Sequence, residues 1–142
     1  MEIKVRLATE QDAGALARLN QDFNGGDRRC AAEITDSMRN SDELIAVAEM
    51  GGQVVGFGCA QSFKSFCYQE LQGEITELYI EPSARRKGAA ASILSCLEEH
   101  LASRGVAEIK VLTGMDNETA IKTYERCNYE KDDELLLKKR LT

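Results

Sequence analysis

The sequence predicts an α/β fold (α+β in other schemes): a mixed, mostly antiparallel sheet of six or seven strands with about four helices, in the order βααβββαβαβ(β). Three observations carry this. Gly51-Gly52 lies between two strand-like runs, Leu44 to Met50 and Gln53 to Phe63, where a two-residue hairpin turn would sit. Residues 74–113 read as strand, helix, strand, a unit that implies local parallel pairing. No repeat, low-complexity tract or linker interrupts the chain, so its 142 residues are expected to form one domain over 1–142.

The elements follow in order. Ile3, Val5 and Leu7 alternate with charged neighbours, the period of a half-buried strand. Thr9 reads as an N-cap for a helix carrying Ala13, Leu16, Ala17, Leu19 and Phe23 at helical spacing. Asn24-Gly25-Gly26-Asp27 breaks it, and Ala31, Ile34 and Met38 mark a second, weaker helix. After the hairpin, Gly73 to Glu81 forms another strand. From Lys87 to Arg104, Ala90, Ile93, Leu94, Leu97 and Leu101 share one helical face, and Gly105 terminates it. Val106 to Thr113 is a strand, Glu118 to Cys127 a helix, and the tail Tyr129 to Leu141 one or two strands.

Charge and cysteine usage exclude several functions. With Lys plus Arg at 18 and Asp plus Glu at 24, the net charge is −6, which disfavours non-specific binding to nucleic acid or anionic membrane. No apolar run is long enough to cross a membrane, and the charged, alternating start is unlike a signal peptide, so a cytoplasmic protein is expected. The five cysteines show no CxxC spacing and His100 is the single histidine, which argues against a zinc site, a disulfide framework or a histidine-dependent triad. No metal is expected.

The informative stretch is Glu74 to Ala90, where a strand runs through a short loop into a long helix. The first amides of a helix lack intrahelical partners, and the dipole makes that end an anion site. Gly88 leaves room for phosphate oxygens, Ala89 and Ala90 keep the wall shallow, and Arg85, Arg86 and Lys87 supply positive charge. The plain alternative is a solvated basic turn with small residues chosen for packing. Neither a Walker A loop nor a dinucleotide fingerprint is present.

Arg85-x-x-Gly88-x-Ala90 resembles the acyl-CoA signature of the GNAT superfamily of N-acetyltransferases. Further on, Asn117-x-x-Ala120-x-x-x-Tyr124-Glu125-x-x-Asn128-Tyr129 is similar to a second segment of that family. Asn128 stands where glycine is usual, and asparagine is the next best residue for the left-handed turn required there. The resemblance, which extends to the element order, implies a GNAT-like fold and direct transfer of acetyl from acetyl-CoA, as co-substrate, to an amine. It implies that Leu78 and Ile80 pair with the pantetheine arm, that the amides from Arg86 through Ala91 hold the pyrophosphate, and that Asn117 bonds the pantetheine. It places the Tyr79 amide at the thioester oxygen and Tyr124, beside the cofactor, as general acid to the sulfur.

For the base the candidates are Glu74, Glu77 and a water chain. Strand alternation puts the two carboxylates on opposite faces unless a bulge intervenes. The resemblance also implies an acceptor pocket between residues 23–38 and 63–71, where Phe63, Phe66, Tyr68 and Glu70 accompany Asp22 and Asp27. Such a pocket suits a cationic small-molecule amine. An aminoglycoside N-acetyltransferase and a non-catalytic acyl-CoA-binding module are the alternatives, and a homodimer is the expected assembly.

Overall fold

The computed structural model describes residues 2–142. The chain divides into two compact units, Met1–Leu112 and Thr113–Thr142. In the first, strands β1 (Ile3–Leu7), β2 (Leu44–Met50), β3 (Gln53–Phe63), β4 (Leu71–Ile80) and β5 (Val106–Val111) form one sheet in sequence order. Helices α1 (Ala13–Asn24) and α2 (Ala31–Arg39) precede β2, and α3 (Ala89–Ser103) connects β4 to β5. The first four strands pair antiparallel and β4 pairs β5 in parallel, the mixed sheet expected. Gly51 and Gly52 turn β2 into β3 at φ 60° and 79°, the left-handed pair that a tight hairpin requires.

Helices cover both faces. On one, α3 buries Ile93, Leu94, Leu97 and Leu101 completely, the face its spacing predicts. It can lie close because β3 and β4 present glycines there: a Cβ on Gly58 would come within 2.5 Å of Ile93 Cγ2. On the other, Leu16 and Leu19 of α1 pack with Val47, Phe57 and Cys59. The α2 helix buries no residue fully, in keeping with its weaker apolar pattern.

The second unit holds α4 (Glu118–Arg126). Asn128 follows it at φ 71°, its amide on Glu125 O at 3.0 Å while Tyr129 N–H meets Tyr124 O at 3.0 Å. This paired closure is the left-handed stop that asparagine tolerates. The expected strands between Tyr129 and Leu141 do not form, so the described residues give a five-stranded sheet rather than six or seven. An extended segment becomes a strand only where a neighbour completes its hydrogen bonds, and the run Leu135 to Leu137 lacks both that partner and the β-branched residues that favour strands.

Candidate active site

Two features of β4 open the sheet at one place. Its parallel ladder with β5 ends at Ile75 opposite Val111, although β4 continues to Ile80. Its ladder with β3 slips at the same point: Glu77 faces Cys59 and Ile75 faces Ala60, leaving Thr76 opposite no residue. Beyond the slip, no described residue pairs with the strand on the β5 side.

The main-chain directions along that edge follow from one bond. Glu81 N–H donates to Val55 O at 2.9 Å, so Tyr79, two residues back, also directs its amide into the β3 ladder. Leu78 and Ile80 therefore turn their main chains toward the open side, as a pantetheine arm would need. The Tyr79 amide expected to bond the thioester oxygen belongs to the sheet, because amide direction alternates along a strand. Ile80 O is taken by Arg85, whose Nε donates to it at 2.8 Å.

At the end of this edge lies the basic turn. Arg86 has φ 64° and Gly88, the residue ahead of α3, has φ 81°. No side chain caps α3, and the first helical bond of the turn runs from Ser92 N–H to Gly88 O. Among the described residues the amides from Arg86 through Ala91 have no acceptor within the chain. A Cβ at Gly88 would meet nothing within 4 Å, so the space above the turn is open. Arg86 and Lys87 are exposed, and Arg85 lies over the Tyr79 ring at 5.8 Å. Unpaired amides, cations and open space fit a pyrophosphate.

The slip in register decides how the carboxylates are arranged. Glu77 is opposite Cys59 and Glu74 opposite Gln61, and residues 59 and 61 share a face of β3. The bulge thus brings Glu74 and Glu77 to the same face. Their surroundings differ. Glu74 has Lys110 Nζ 4.0 Å away, whereas Glu77 has no cationic partner among the described residues. Burial pushes the Glu77 carboxyl above the ordinary glutamate range.

A third carboxylate, which no motif marked, joins them. Glu43 precedes β2 and lies close enough to the buried Cys59 thiol for each to influence the other's ionisation. Its pKa is also raised, first by burial and further by the charge of Glu77, with the thiol opposing. Burial beside these two carboxylates pushes the Cys59 thiol far up, so it is a neutral donor. No sequence signal marked Glu43: only the pairing of Ile45 with Cys59 and of Cys59 with Glu77, a property of the folded sheet, brings the three together.

Aromatic rings adjoin this face. Phe23 of α1 stacks on Tyr79 at 5.1 Å and meets Phe57 edge-on at 6.3 Å. The Phe66 and Tyr68 rings, in the loop between β3 and β4 where the acceptor pocket is expected, are exposed. Phe63 is paired with Lys110, 5.4 Å from its ring. In the second unit, Asn117 caps α4 by accepting Ala120 N–H at 3.2 Å, which commits its Oδ1 and leaves its Nδ2 for another partner. Tyr124 lies edge-on to Tyr129 at 5.8 Å.

Residues 14–129 match the Acetyltransferase (GNAT) family. The chain belongs to that family. An acetyltransferase of Yersinia enterocolitica is 31% identical over 109 residues, spanning 77% of this chain and 73% of its own. Among solved structures, an aminoglycoside acetyltransferase from an uncultured soil metagenomic sample superposes with a TM-score of 0.86 at 12% identity, covering 99% of this chain and 96% of its own. AAC(6')-Iy, solved with a bisubstrate analogue of CoA, gives 0.86 at 14% identity over the whole of both chains. At these identities the structural likeness establishes the GNAT fold, and the family match makes the protein an acetyltransferase.

Proposed function

We propose that this acetyltransferase moves the acetyl group of acetyl-CoA to a primary amine of a small molecule that arrives as a cation. The observation that carries the reading is the joint placement on β4 of a free main-chain edge, an anion cradle at its end and an uncompensated carboxylate, Glu77, beside its bulge. Bound acetyl-CoA supplies an activated acyl carbon and a thiol leaving group. Everything else falls to the chain. The amides from Arg86 through Ala91 hold the pyrophosphate, and the main chains of Leu78 and Ile80 align the arm.

An amine near pKa ~10 is protonated at neutral pH and must lose a proton before it attacks. Glu77 is the group for that task, since a carboxyl raised toward neutrality is a better base than an ordinary glutamate. Glu74, held near Lys110, is less free to take part. Together Glu77 and Glu43 draw the ammonium to the bulge. The resemblance to the family assigns Tyr124 as donor to the departing thiolate. The narrower reading is a polycationic acceptor such as an aminoglycoside, favoured by two adjacent carboxylates that lack cations.

The test combines binding with turnover. Acetyl-CoA at 100 times its dissociation constant should stabilise the fold by about 2.7 kcal/mol, read as a higher Tm. Thiol release across an amine panel should then identify acceptors. Gly88→Glu should abolish the thermal shift, while Gly88→Ala, which carries the backbone strain without the charge, should retain most of it. An unshifted Tm at millimolar acetyl-CoA overturns the cofactor reading; a normal shift with no thiol release from any amine leaves a binding module.

A further inference from the structure

We propose that Arg85 is a positioning residue: it clamps the last carbonyl of β4 and so ties the strand edge to the basic turn, rather than lending its charge to the pyrophosphate. The inference rests on the acetyl-CoA reading above. Arg85 Nε, not a terminal nitrogen, donates to Ile80 O at 2.8 Å. The same guanidinium lies over the Tyr79 ring, 5.8 Å from its centre, and Phe23 stacks on that ring at 5.1 Å. The guanidinium is thus committed to the strand through a carbonyl and a ring together. Between Ile80 and Arg85 the chain turns through Pro82–Ala84, and the bonds within that turn are Ala84 N–H to Glu81 O at 3.0 Å and Arg85 N–H to Pro82 O at 3.3 Å. Arg86 and Lys87, exposed and without a carboxylate partner among the described residues, remain for the phosphates.

The clamp matters because of where Ile80 stands. Its main chain faces the open side of β4, where no described residue pairs with it, so no neighbouring strand fixes that peptide group. Arg85 does so instead. An arm laid along the edge needs the peptide groups of Leu78 and Ile80 already in line, and order present before the ligand arrives need not be imposed on binding. Because the bond uses Nε, the charge is incidental to it. Glutamine carries its amide nitrogen the same number of bonds from the backbone and would make the same bond without charge.

A clamp and a phosphate charge predict different orders among variants. Calorimetry on the whole protein should find acetyl-CoA weakened about tenfold by Arg85→Met, which keeps the length of the side chain without donor or charge. Arg85→Gln, which restores the donor alone, should bind within about threefold of wild type, the remainder being the lost contact with the Tyr79 ring. Affinity should fall as steeply with added salt in Arg85→Gln as in wild type, since no contact between a cation and phosphate has been removed. Equal losses in the two variants, or a shallower salt dependence in the glutamine variant, would return Arg85 to the phosphates and overturn the proposal. No loss in either variant overturns it as well. Should the methionine variant not fold, the salt dependence of the glutamine variant decides alone. Absence of binding by the wild type would instead sink the cofactor reading, and this inference with it.

Discussion

The two ends of β2 treat carboxylates in opposite ways. At the Met50 end, Arg6 clasps Asp12 through both terminal nitrogens, at 2.7 and 3.0 Å, and reaches Glu49 at 2.8 Å. Thr9 N–H adds a bond to Asp12 at 2.8 Å, and the Arg6 guanidinium with this amide holds the nearly buried carboxylate below the ordinary aspartate range. At the Leu44 end, Glu43 and Glu77 flank Cys59, both are raised by burial, and among the described residues neither has a cationic partner. Desolvating a carboxylate costs free energy unless a partner offsets it. The first end has spent its charges on the fold. The second holds its charges at a cost, and an arriving ammonium would relieve it.

That contrast can be broken most severely at Glu77. Glu77→Gln keeps the shape and removes the base, so kcat should fall by about 10²–10⁴-fold with Tm unchanged or higher. A single-turnover rate within twofold of wild type would move the proton transfer to Glu74 or to water. The reciprocal variant, Asp12→Asn, should leave acetylation nearly intact and cost about 1–3 kcal/mol of stability, because it weakens charged bonds in a desolvated setting. Urea melts read this directly. If Asp12→Asn were neutral in stability, the two ends of β2 would not differ as argued.

Legibility in the sequence follows the same division. The helices and hairpin are local: α3 shows its buried face by spacing, and Gly51-Gly52 shows its turn by composition. The left-handed Asn128 is also local, since it depends only on how α4 stops. The cofactor turn announces itself because phosphate binding needs small residues and cations in series. The acceptor side is not local. Whether Glu74 and Glu77 share a face depends on one residue of slip between β3 and β4, which alternation within β4 cannot reveal. Glu43 has meaning only through Cys59 on the neighbouring strand. The Leu-rich tail shows the converse: an apolar run was present, and no strand formed.

The smallest effect expected is the dependence of stability on pH, and its sign separates the two ends. Asp12 has a depressed folded pKa, so the stability it contributes is present above the ordinary aspartate value of ~3.9 and is lost as pH falls through the folded value. Glu43 and Glu77 have raised folded pKa values, so their ionised forms weaken the fold at neutral pH. That penalty disappears as pH falls through the raised values toward the ordinary ~4.3. The double variant Glu43→Gln/Glu77→Gln should therefore be more stable than wild type at pH 7, with the gap closing as the solution is brought to about pH 4. Asp12→Asn should be less stable than wild type at pH 7, and its gap should persist to pH 4 and close only below it. Urea midpoints at a series of pH values give both difference curves. Curves of the same sign would mean that Glu43 and Glu77 are paid for within the fold by partners of their own, leaving no reason for a cation to be drawn to them.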